Sequence, residues 1–550
     1  MNRDWEPGLR LTMPPREGWL LTHPQRIQMH RNVVGMALIV AALVGAVVLY
    51  EGLPPAARQI ASLPAAEGEP GTWAEITVDY PLDGTLFPPE MVPPTFQWRD
   101  GSRAVRKWLV RITGAGDKSG LHFLVRRPRW TPRPRDWEAL KHQSLDRDAQ
   151  VTILGLGWGR RLKVLSHAHL CFRTARDPVG APLFYREVIL PFAEADKHPA
   201  RIRWRFGTID TPQAPPVVLK GLPVCANCHS FSQDGSLLAM DADYANNKGA
   251  YLITPVREQM VLRPEDIMTW NDYERAGQTF GLLSQISPDG RYVVSTVRDL
   301  AVFIARPPLA FSQLFFPVRG ILCVYDRQAR TLRALPGADD PNFVQSNPTW
   351  SPDGRYIVFA RARAADLRET RGRGLTPLTP YDCEMLLKDG RPFQFDLYRI
   401  PFNGGEGGAA QPLAGAAHNG MSNYFARYSP DGRWIVFCRA KSYMLLQPDS
   451  ELYIIPAAGG EARRLRGNTR RMNSWHSWSP NGKWLVFASK GYSDYTQLCL
   501  THIDENGDST PPVLLSHLTA PDRAANIPEF VNTRPGAIVQ IREQFVRKRW

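Results

Sequence analysis

Residues 350–360 read WSPDGRYIVFA, and this stretch decides the fold because four other segments repeat its template. The copies are FSQDGSLLAM (231–240), ISPDGRYVVST (286–296), YSPDGRWIVFC (428–438) and WSPNGKWLVFA (478–488). Each forms a tight turn, because proline sets φ, Asp or Asn caps its own backbone and glycine accepts positive φ. The apolar run behind the turn has the length of a buried strand. The pattern predicts a mainly β fold of repeated hairpins, spaced as propeller blades with insertions.

These repeats resemble those of the TolB-like (WD40-like) β-propeller family over about residues 220–530. The resemblance implies a propeller over 217–541 with five visible blades, or six if segments around Val217 and Val539 close the ring. The family includes binding scaffolds and propellers attached to prolyl-oligopeptidase-type peptidases. The chain has no G-x-S-x-G elbow, so we expect no hydrolase of that type.

The N-terminal part predicts a membrane anchor. Eighteen residues from Val33 to Tyr50 carry no charge and span about 27 Å as a helix, enough to cross a bilayer core. We predict a signal anchor over 32–51, with a cleaved signal peptide or a buried helix as alternatives. Five arginines in the leader 1–31 keep the N-terminus cytoplasmic. The rest of the chain then faces the periplasm from a bacterial inner membrane.

A Pro/Ala-rich linker (52–71) leads to a predicted β-sandwich over 72–205. Its segments are short, rich in β-branched and aromatic residues, and separated by turn residues. The phrase YPLDGTLFPPEMVPPTFQW (80–98) resembles the first two strands of fibronectin-III or immunoglobulin-like modules. A likeness of this kind predicts a fold and no function.

Charge is concentrated in the sandwich. The 550 residues carry a net charge of +14, and 43% hydrophobic with 22% charged residues excludes wholesale disorder. Between Gly101 and Arg135 a single acid, Asp117, faces ten basic residues: Arg103, Arg106, Lys107, Arg111, Lys118, Arg126, Arg127, Arg129, Arg133 and Arg135. The run predicts contact with anionic lipid headgroups or an acidic redox partner, or else a solvated strand face. An exported chain without a nucleic-acid motif is not expected to bind nucleic acid. A basic tail occupies 542–550.

The strongest chemical signal is Cys225-Ala-Asn-Cys228-His229 in the first repeat. C-x-x-C-H is the arrangement that attaches haem c: two thiols form thioethers and the adjacent imidazole ligates the iron. A periplasmic location suits this chemistry. A Cys225–Cys228 disulfide is the main alternative, whereas a thioredoxin-like pair lacks its βαβ context and a zinc site lacks a second ligand pair.

The sixth iron ligand has two candidates. Met240 lies in the same repeat, where buried core filler is the simpler interpretation. His476 stands three residues before its turn serine, as His229 does, so the two imidazoles would converge if that position faced the central channel. An ordinary hydrogen-bonded histidine is the alternative for His476. His167 and His169 are interpreted as strand residues, and Cys323, Cys438 and Cys499 as buried thiols.

Two functions follow from the sequence. The first is a membrane-anchored, periplasm-facing c-type cytochrome with one covalent haem, which transfers single electrons and makes or breaks no bonds. The second is a scaffolding subunit of a larger membrane complex, respiratory or photosynthetic, in which sandwich and propeller supply protein contacts.

Overall fold

The computed structural model describes residues 73–544, apart from 115–119, 159–161, 225, 274–278, 366–386, 389 and 391. The predicted leader, membrane segment and linker, together with Cys225 and Lys118, lie outside the described residues. Within the described part, no helix is long and apolar enough to cross a membrane. Residues 74–157 and 164–544 belong to one compact unit.

The N-terminal domain has two sheets that share their first strand. Its elements are β1 (Ala74–Tyr80), β2 (Thr85–Phe87), β3 (Phe96–Asp100), β4 (Lys107–Thr113), β5 (Leu121–Val125), β6 (Arg129–Trp130), α1 (Pro134–Gln143), β7 (Ala149–Trp158) and β8 (Leu162–Thr174). One sheet follows the order β5-β4-β7-β8, with β2 and the start of β1 on β8, and the other follows β1-β3-β6. Phe172 of the first sheet contacts Phe96 of the second. The two layers are those of a sandwich, and the closer likeness to immunoglobulin-type modules stays a prediction.

The rest of the described chain forms the six four-stranded blades of a β-propeller. Four blades are separate sheets, and blades 2 and 3 are joined into one eight-stranded sheet where Gly320 lies opposite Val344. Blades 1 to 5 each contain one sequence repeat. Blade 1 holds β12 (Ala226–Phe231), β13 (Leu237–Ala242), β14 (Ala250–Pro255) and β16 (Ile267–Thr269), and blade 2 holds β17 (Leu282–Ile286), β18 (Tyr292–Ala305), β19 (Gln313–Asp326) and β20 (Thr331–Ala334). Blade 3 holds β21 (Phe343–Trp350), β22 (Tyr356–Arg363), β23 (Asp396–Pro401) and β24 (Gln411–Pro412). Blade 4 holds β25 (Ser422–Tyr428), β26 (Trp434–Ala440), β27 (Glu451–Pro456) and β28 (Arg463–Arg464). Blade 5 holds β29 (Asn473–Trp478), β30 (Trp484–Ser489), β31 (Gln497–His502) and β32 (Val513–Leu514).

Blade 6 closes the ring in a way that the sequence did not predict. It contains β9 (Leu183–Ile189), β10 (Arg203–Gly207), β11 (Val217–Lys220) and β33 (Arg523–Phe530), with β9 followed by the short helix α2 (Phe192–Lys197). The segment at Val217 takes part in closure, as expected. The segment after Val539 does not: β34 (Gln540–Glu543) pairs in parallel with β15 (Gln259–Leu262), outside the blades.

The boundary between the domains therefore differs from the expected one. Residues 183–189 and 203–205, assigned to the sandwich from sequence, pair with each other in blade 6, and 183–189 also pair with β33. Their β-rich composition suits either domain. The choice depends on a partner strand 334 residues further along the chain, where Arg523 lies opposite Ile189. Innermost strands contact their neighbours from blade to blade around the ring.

The turns of the repeats have the geometry that their residues predict. In blade 3 the Ser351 hydroxyl donates to Asp353 (2.6 Å) and accepts from the Tyr356 backbone N–H (2.9 Å). Gly354 has φ of +68°, a value that glycine adopts without strain. The same serine-to-Asp or Asn bond occurs in the other four repeats. The predicted β-propeller is confirmed by this recurrence and by the six blades.

Candidate functional site: an axial cavity at Cys228

A break in strand pairing recurs in all six innermost strands. In blades 1 to 5 pairing with the second strand shifts register just before the turn, and in blade 6 the pairing of β33 with β9 shifts between Asn526 and Glu529. In blades 2 to 6 a residue other than glycine sits in the break with positive φ: Leu283, Asn347, Phe425, Trp475 and Ile527. Counting back four residues from the turn position places Cys228 at the same point in blade 1. Cys228 is thus one of six equivalent residues, called here the bulge ring.

Members of the bulge ring line a cavity of about 370 Å³. Four of the six contribute to its wall: Cys228, Leu283, Trp475 and Ile527. Because these residues come from four different blades, the cavity lies where the blades converge on the propeller axis. Four phenylalanines also line it: Phe192, Phe280, Phe303 and Phe315. An apolar cavity with a few polar groups is the usual form of a small-molecule site.

The cavity wall also has seven polar or charged residues: Arg186, Asp196, Asn227, Asp241, Asp243, Lys248 and Gln313. Arg186 donates to the side chain of Asn227 (2.9 Å), and Lys248 pairs with Asp243. One carboxylate oxygen of Asp241 is buried without a hydrogen-bond partner in the described part of the chain. Burial raises the pKa of Asp241 to about 7. Burial and the neighbouring Asp241 also raise the pKa of the Cys228 thiol, which keeps it protonated and unreactive as a nucleophile.

The structure places His229 on the other side of the same strand. Its imidazole is 1% exposed and contacts the Phe184 ring of blade 6 edge-on, with centroids 4.8 Å apart. Neither ring nitrogen has a hydrogen-bond partner among the described residues; the backbone of Phe184 and Ile527 faces the ring without reaching hydrogen-bond geometry. Burial, with the nearby charges of Arg186 and Arg427, lowers the pKa of His229 to about 3. The imidazole is therefore neutral.

His476 does not meet His229. Its Nε2 lies 3.0 Å from the backbone oxygen of Val436 and its Nδ1 lies 3.9 Å from Sγ of Cys438, both in blade 4. Each histidine therefore packs against the blade that precedes its own, between blades rather than on the axis. The position that faces the axis is one residue earlier, where blade 1 has Cys228 and blade 5 has Trp475. The structure thus differs from the predicted convergence of the two imidazoles.

Met240 does not fit the predicted role of sixth iron ligand either. It lies directly opposite His229 in the antiparallel pair β12–β13 and is fully buried. Residues directly opposite each other project from the same side of a sheet. Two axial ligands must approach an iron from opposite sides, so side-by-side neighbours on one face do not fit that arrangement. Met240 packs instead in the apolar cluster shared by blades 1 and 6.

The residues present fit a haem only in part. Cys228 has a free thiol and faces a cavity with aromatic walls, which suits thioether attachment. His229 is not among the described residues that line that cavity, and its imidazole packs instead against Phe184 of blade 6. In the conformation described, thiol and imidazole do not reach one haem. The described residues also contain no group of three His, Cys, Asp or Glu side chains that could hold a metal ion.

The opposite end of the propeller axis has a second cavity of about 230 Å³. Its rim has one residue from each blade: Phe231, Ile286, Trp350, Tyr428, Trp478 and Phe530. Below the rim Arg427 donates to Gln285 (2.6 Å). Burial raises the pKa of Glu529 to about 7, against the opposing effect of Arg427. Gln285, Arg427 and Glu529 each stand one residue before a rim residue. The positions of Gln285 and Arg427 could have been found by aligning the repeats, whereas Glu529 lies outside the repeats.

The remaining predicted residues behave as strand and core residues. His167 and His169 contact each other on β8, and His169 also lies 3.1 Å from the Thr152 hydroxyl. Cys323, Cys438 and Cys499 are free and fully buried, as predicted. Asp241 is the neighbour of Cys228 that sequence analysis missed, since its place follows from the pairing of β12 with β13.

Comparison with models of known protein families finds no match, and comparison with curated proteins finds none either. Solved structures share the fold. TolB from Acinetobacter baumannii is 14% identical, with a TM-score of 0.39 over 70% of this chain and 79% of that one. A putative TolB from Agrobacterium tumefaciens is 15% identical (TM-score 0.34; 64% and 98%), and a periplasmic gluconolactonase from Pseudomonas aeruginosa is 14% identical (TM-score 0.33; 60% and 81%). The chain is thus similar to propellers of several functions, and the likeness concerns the fold alone.

Proposed function

We propose that this protein is a membrane-anchored, periplasm-facing c-type cytochrome in which Cys225 and Cys228 attach one haem at the axial cavity. The observation that carries the proposal is the Cys228 thiol, which belongs to a C-x-x-C-H pentapeptide and lines an aromatic cavity of about 370 Å³. When bound, haem c supplies one-electron redox chemistry. The chain itself would supply the thiols that attach the haem, apolar side chains around it and the charged groups beside Cys228.

The proposal requires residues 226–229 to leave the conformation described. His229 reaches the cavity only if the first half of β12 turns, and two features favour that change. Pairing with β13 is already interrupted between Ala226 and His229. The imidazole also has no hydrogen bond to lose among the described residues. Neither Met240 nor His476 is supported as the sixth ligand, so the proposal leaves that position open.

The test is haem content. The full-length chain, expressed with a cytochrome c maturation system, is expected to give a pyridine haemochrome spectrum and a haem-stained band after denaturation. Cys228→Ser should lose the covalent band. Cys171→Ser is the matched control, because this thiol is half-buried on β8 in the sandwich and should leave haem content unchanged. A colourless wild-type protein refutes the proposal.

The anchor and the orientation are parts of the same proposal. The charge-free run from Val33 to Tyr50 and the five leader arginines support a single span with a cytoplasmic N-terminus. The chain should stay with membranes after alkaline carbonate extraction. Added protease should digest the sandwich and propeller in spheroplasts whose inner membrane is intact; protection of these domains would contradict the orientation.

A scaffolding role in a membrane complex is the second candidate. It is favoured by the junction between sandwich and propeller, where one loop holds three bonds to blade 5. The Asp177 backbone oxygen accepts from Trp484 (3.0 Å), its carboxylate lies 3.0 Å from His502, and Asn481 donates to the Pro178 oxygen (2.6 Å). Such a junction gives the two domains a common, rigid surface. Native gels after mild detergent extraction should show the chain migrating with partners, and a lone monomer would count against this role.

A further inference from the structure

One end of the sandwich collects five arginines that the sequence spreads over 27 positions. The set, called here the basic end, consists of Arg103, Arg106, Arg126, Arg127 and Arg129. Strand pairing brings the two connections together: Trp108 lies opposite Val125 in β4 and β5, so the start of one strand meets the end of the other. The Trp98 N–H also donates to the Pro128 oxygen (3.1 Å), which holds the second connection against the end of β3.

All five arginines of the basic end are exposed. Among the residues that the structure describes, two acids lie at the same end of the sheets. The carboxylate of Asp100 accepts three hydrogen bonds from neighbouring residues: from Trp108 Nε1 (2.8 Å), the Ser166 hydroxyl (2.5 Å) and the Ser102 backbone N–H (2.9 Å). Glu75 is exposed. The surface therefore has an excess of positive charge that internal ion pairs do not cancel.

The chain also enters the sandwich at the basic end. β1 runs antiparallel to β3 with Ile76 opposite Asp100, so its first residue, Ala74, lies beside the connection that holds Arg103 and Arg106. A linker over 52–71 therefore reaches the domain at this end. Its twenty residues span at most about 70 Å when extended.

We infer that the basic end docks on anionic phospholipid headgroups of the membrane that holds the anchor. This inference rests on the anchor proposed above and is independent of haem. The short linker keeps the basic end close to the bilayer, where each arginine strengthens attachment to an anionic surface about fivefold. An acidic protein partner would be negatively charged, as anionic lipid is. The linker, however, holds the membrane and not such a partner near the end at which the chain enters.

The test compares two bilayers. The full-length chain is reconstituted in nanodiscs of phosphatidylcholine alone or with phosphatidylglycerol, and amide hydrogen exchange is followed in 101–107 and 121–130. We expect exchange in both segments to be about fivefold slower or more with phosphatidylglycerol. Arg126→Gln/Arg127→Gln/Arg129→Gln and high salt should each remove the difference. The control Arg257→Gln/Arg263→Gln/Arg330→Gln removes the same charge from exposed propeller positions and should retain it.

Each other outcome overturns the inference. Equal exchange in the two bilayers would mean that charge does not hold the surface, and protection that survives the triple substitution would point to different residues. Protection that appears only with an added acidic protein would assign the basic end to that partner. A chain that fails to enter nanodiscs would remove the anchor. Haem content, measured on the same samples, keeps failure of the cytochrome proposal distinguishable.

Discussion

His229→Phe is expected to stabilise the haem-free protein. The imidazole is 1% exposed, packs edge-on against Phe184 and has no hydrogen-bond partner for either nitrogen in the described part of the chain. An unsatisfied buried polar group costs about 1–3 kcal/mol, and a phenyl ring retains the shape without that cost. If β12 exchanges through an opening that exposes this site, its amides should exchange about 5- to 150-fold more slowly in the variant at pH 7.

The pH dependence gives the same prediction a second readout. The pKa of His229 is lowered to about 3 in the folded chain, against an ordinary value near 6.5, so below pH 6.5 the unfolded chain binds a proton that the folded chain does not. Stability of the wild type is thus lost as pH falls, by about 1.4 kcal/mol per unit down to about pH 3. Between pH 6.5 and 5 the advantage of the variant should grow by about 2 kcal/mol.

His476→Phe is the matched control. Its pKa is also lowered to about 3, mainly by burial, so the variant should show the same slope with pH. At pH 7 it should instead lose about 1 kcal/mol, because His476 bonds the Val436 oxygen at 3.0 Å. The assay is hydrogen exchange on full-length, haem-free protein in detergent. If His229→Phe speeds exchange at pH 7, or if its effect does not change with pH, the reasoning about a buried, unpartnered imidazole is wrong.

Two further predictions concern contacts between distant parts of the chain. Trp484→Phe removes the donor to the Asp177 oxygen and should speed exchange in 174–180 about fivefold, a loss of about 1 kcal/mol, while blade 2 exchanges as before. Lys490→Met removes the ammonium that donates to the oxygens of Leu309 and Ala310 at the tip of the β18–β19 hairpin, so the amides of the tip should exchange faster. Burial lowers the pKa of Lys490 to about 8, so the stability of the wild type should rise between pH 8 and 10.5. A wild-type stability that does not change with pH in this range would contradict the assignment.

The repeats were predictable because their information is local. Serine, Asp or Asn, and glycine define each turn within five residues, and the apolar run that follows defines the strand, so all five hairpins could be identified from sequence. The closing blade could not. β9 and β33 have no turn to connect them, and their pairing depends on contacts across 334 residues. For the same reason residues 183–189 were assigned to the neighbouring domain.

At the candidate site, too, the local sequence predicted one feature and the tertiary structure decided another. Aligning the repeats on their turns predicted correctly that His229 and His476 are equivalent. It did not show which way that position faces, because a break in pairing reverses the alternation of side chains along each innermost strand. The break turns Cys228 toward the axis and His229 between the blades.

By itself the sequence determined the repeated turns and the mainly β fold, and it contains the C-x-x-C-H pentapeptide on which the haem proposal rests, since each depends on residues that are neighbours in the chain. Only the tertiary structure decided which strands close the ring, which residue of the pentapeptide faces the axial cavity, and that five scattered arginines share one end of the sandwich. Those outcomes depend on strand register between distant segments, and a shift of one residue would move every side chain to the other face.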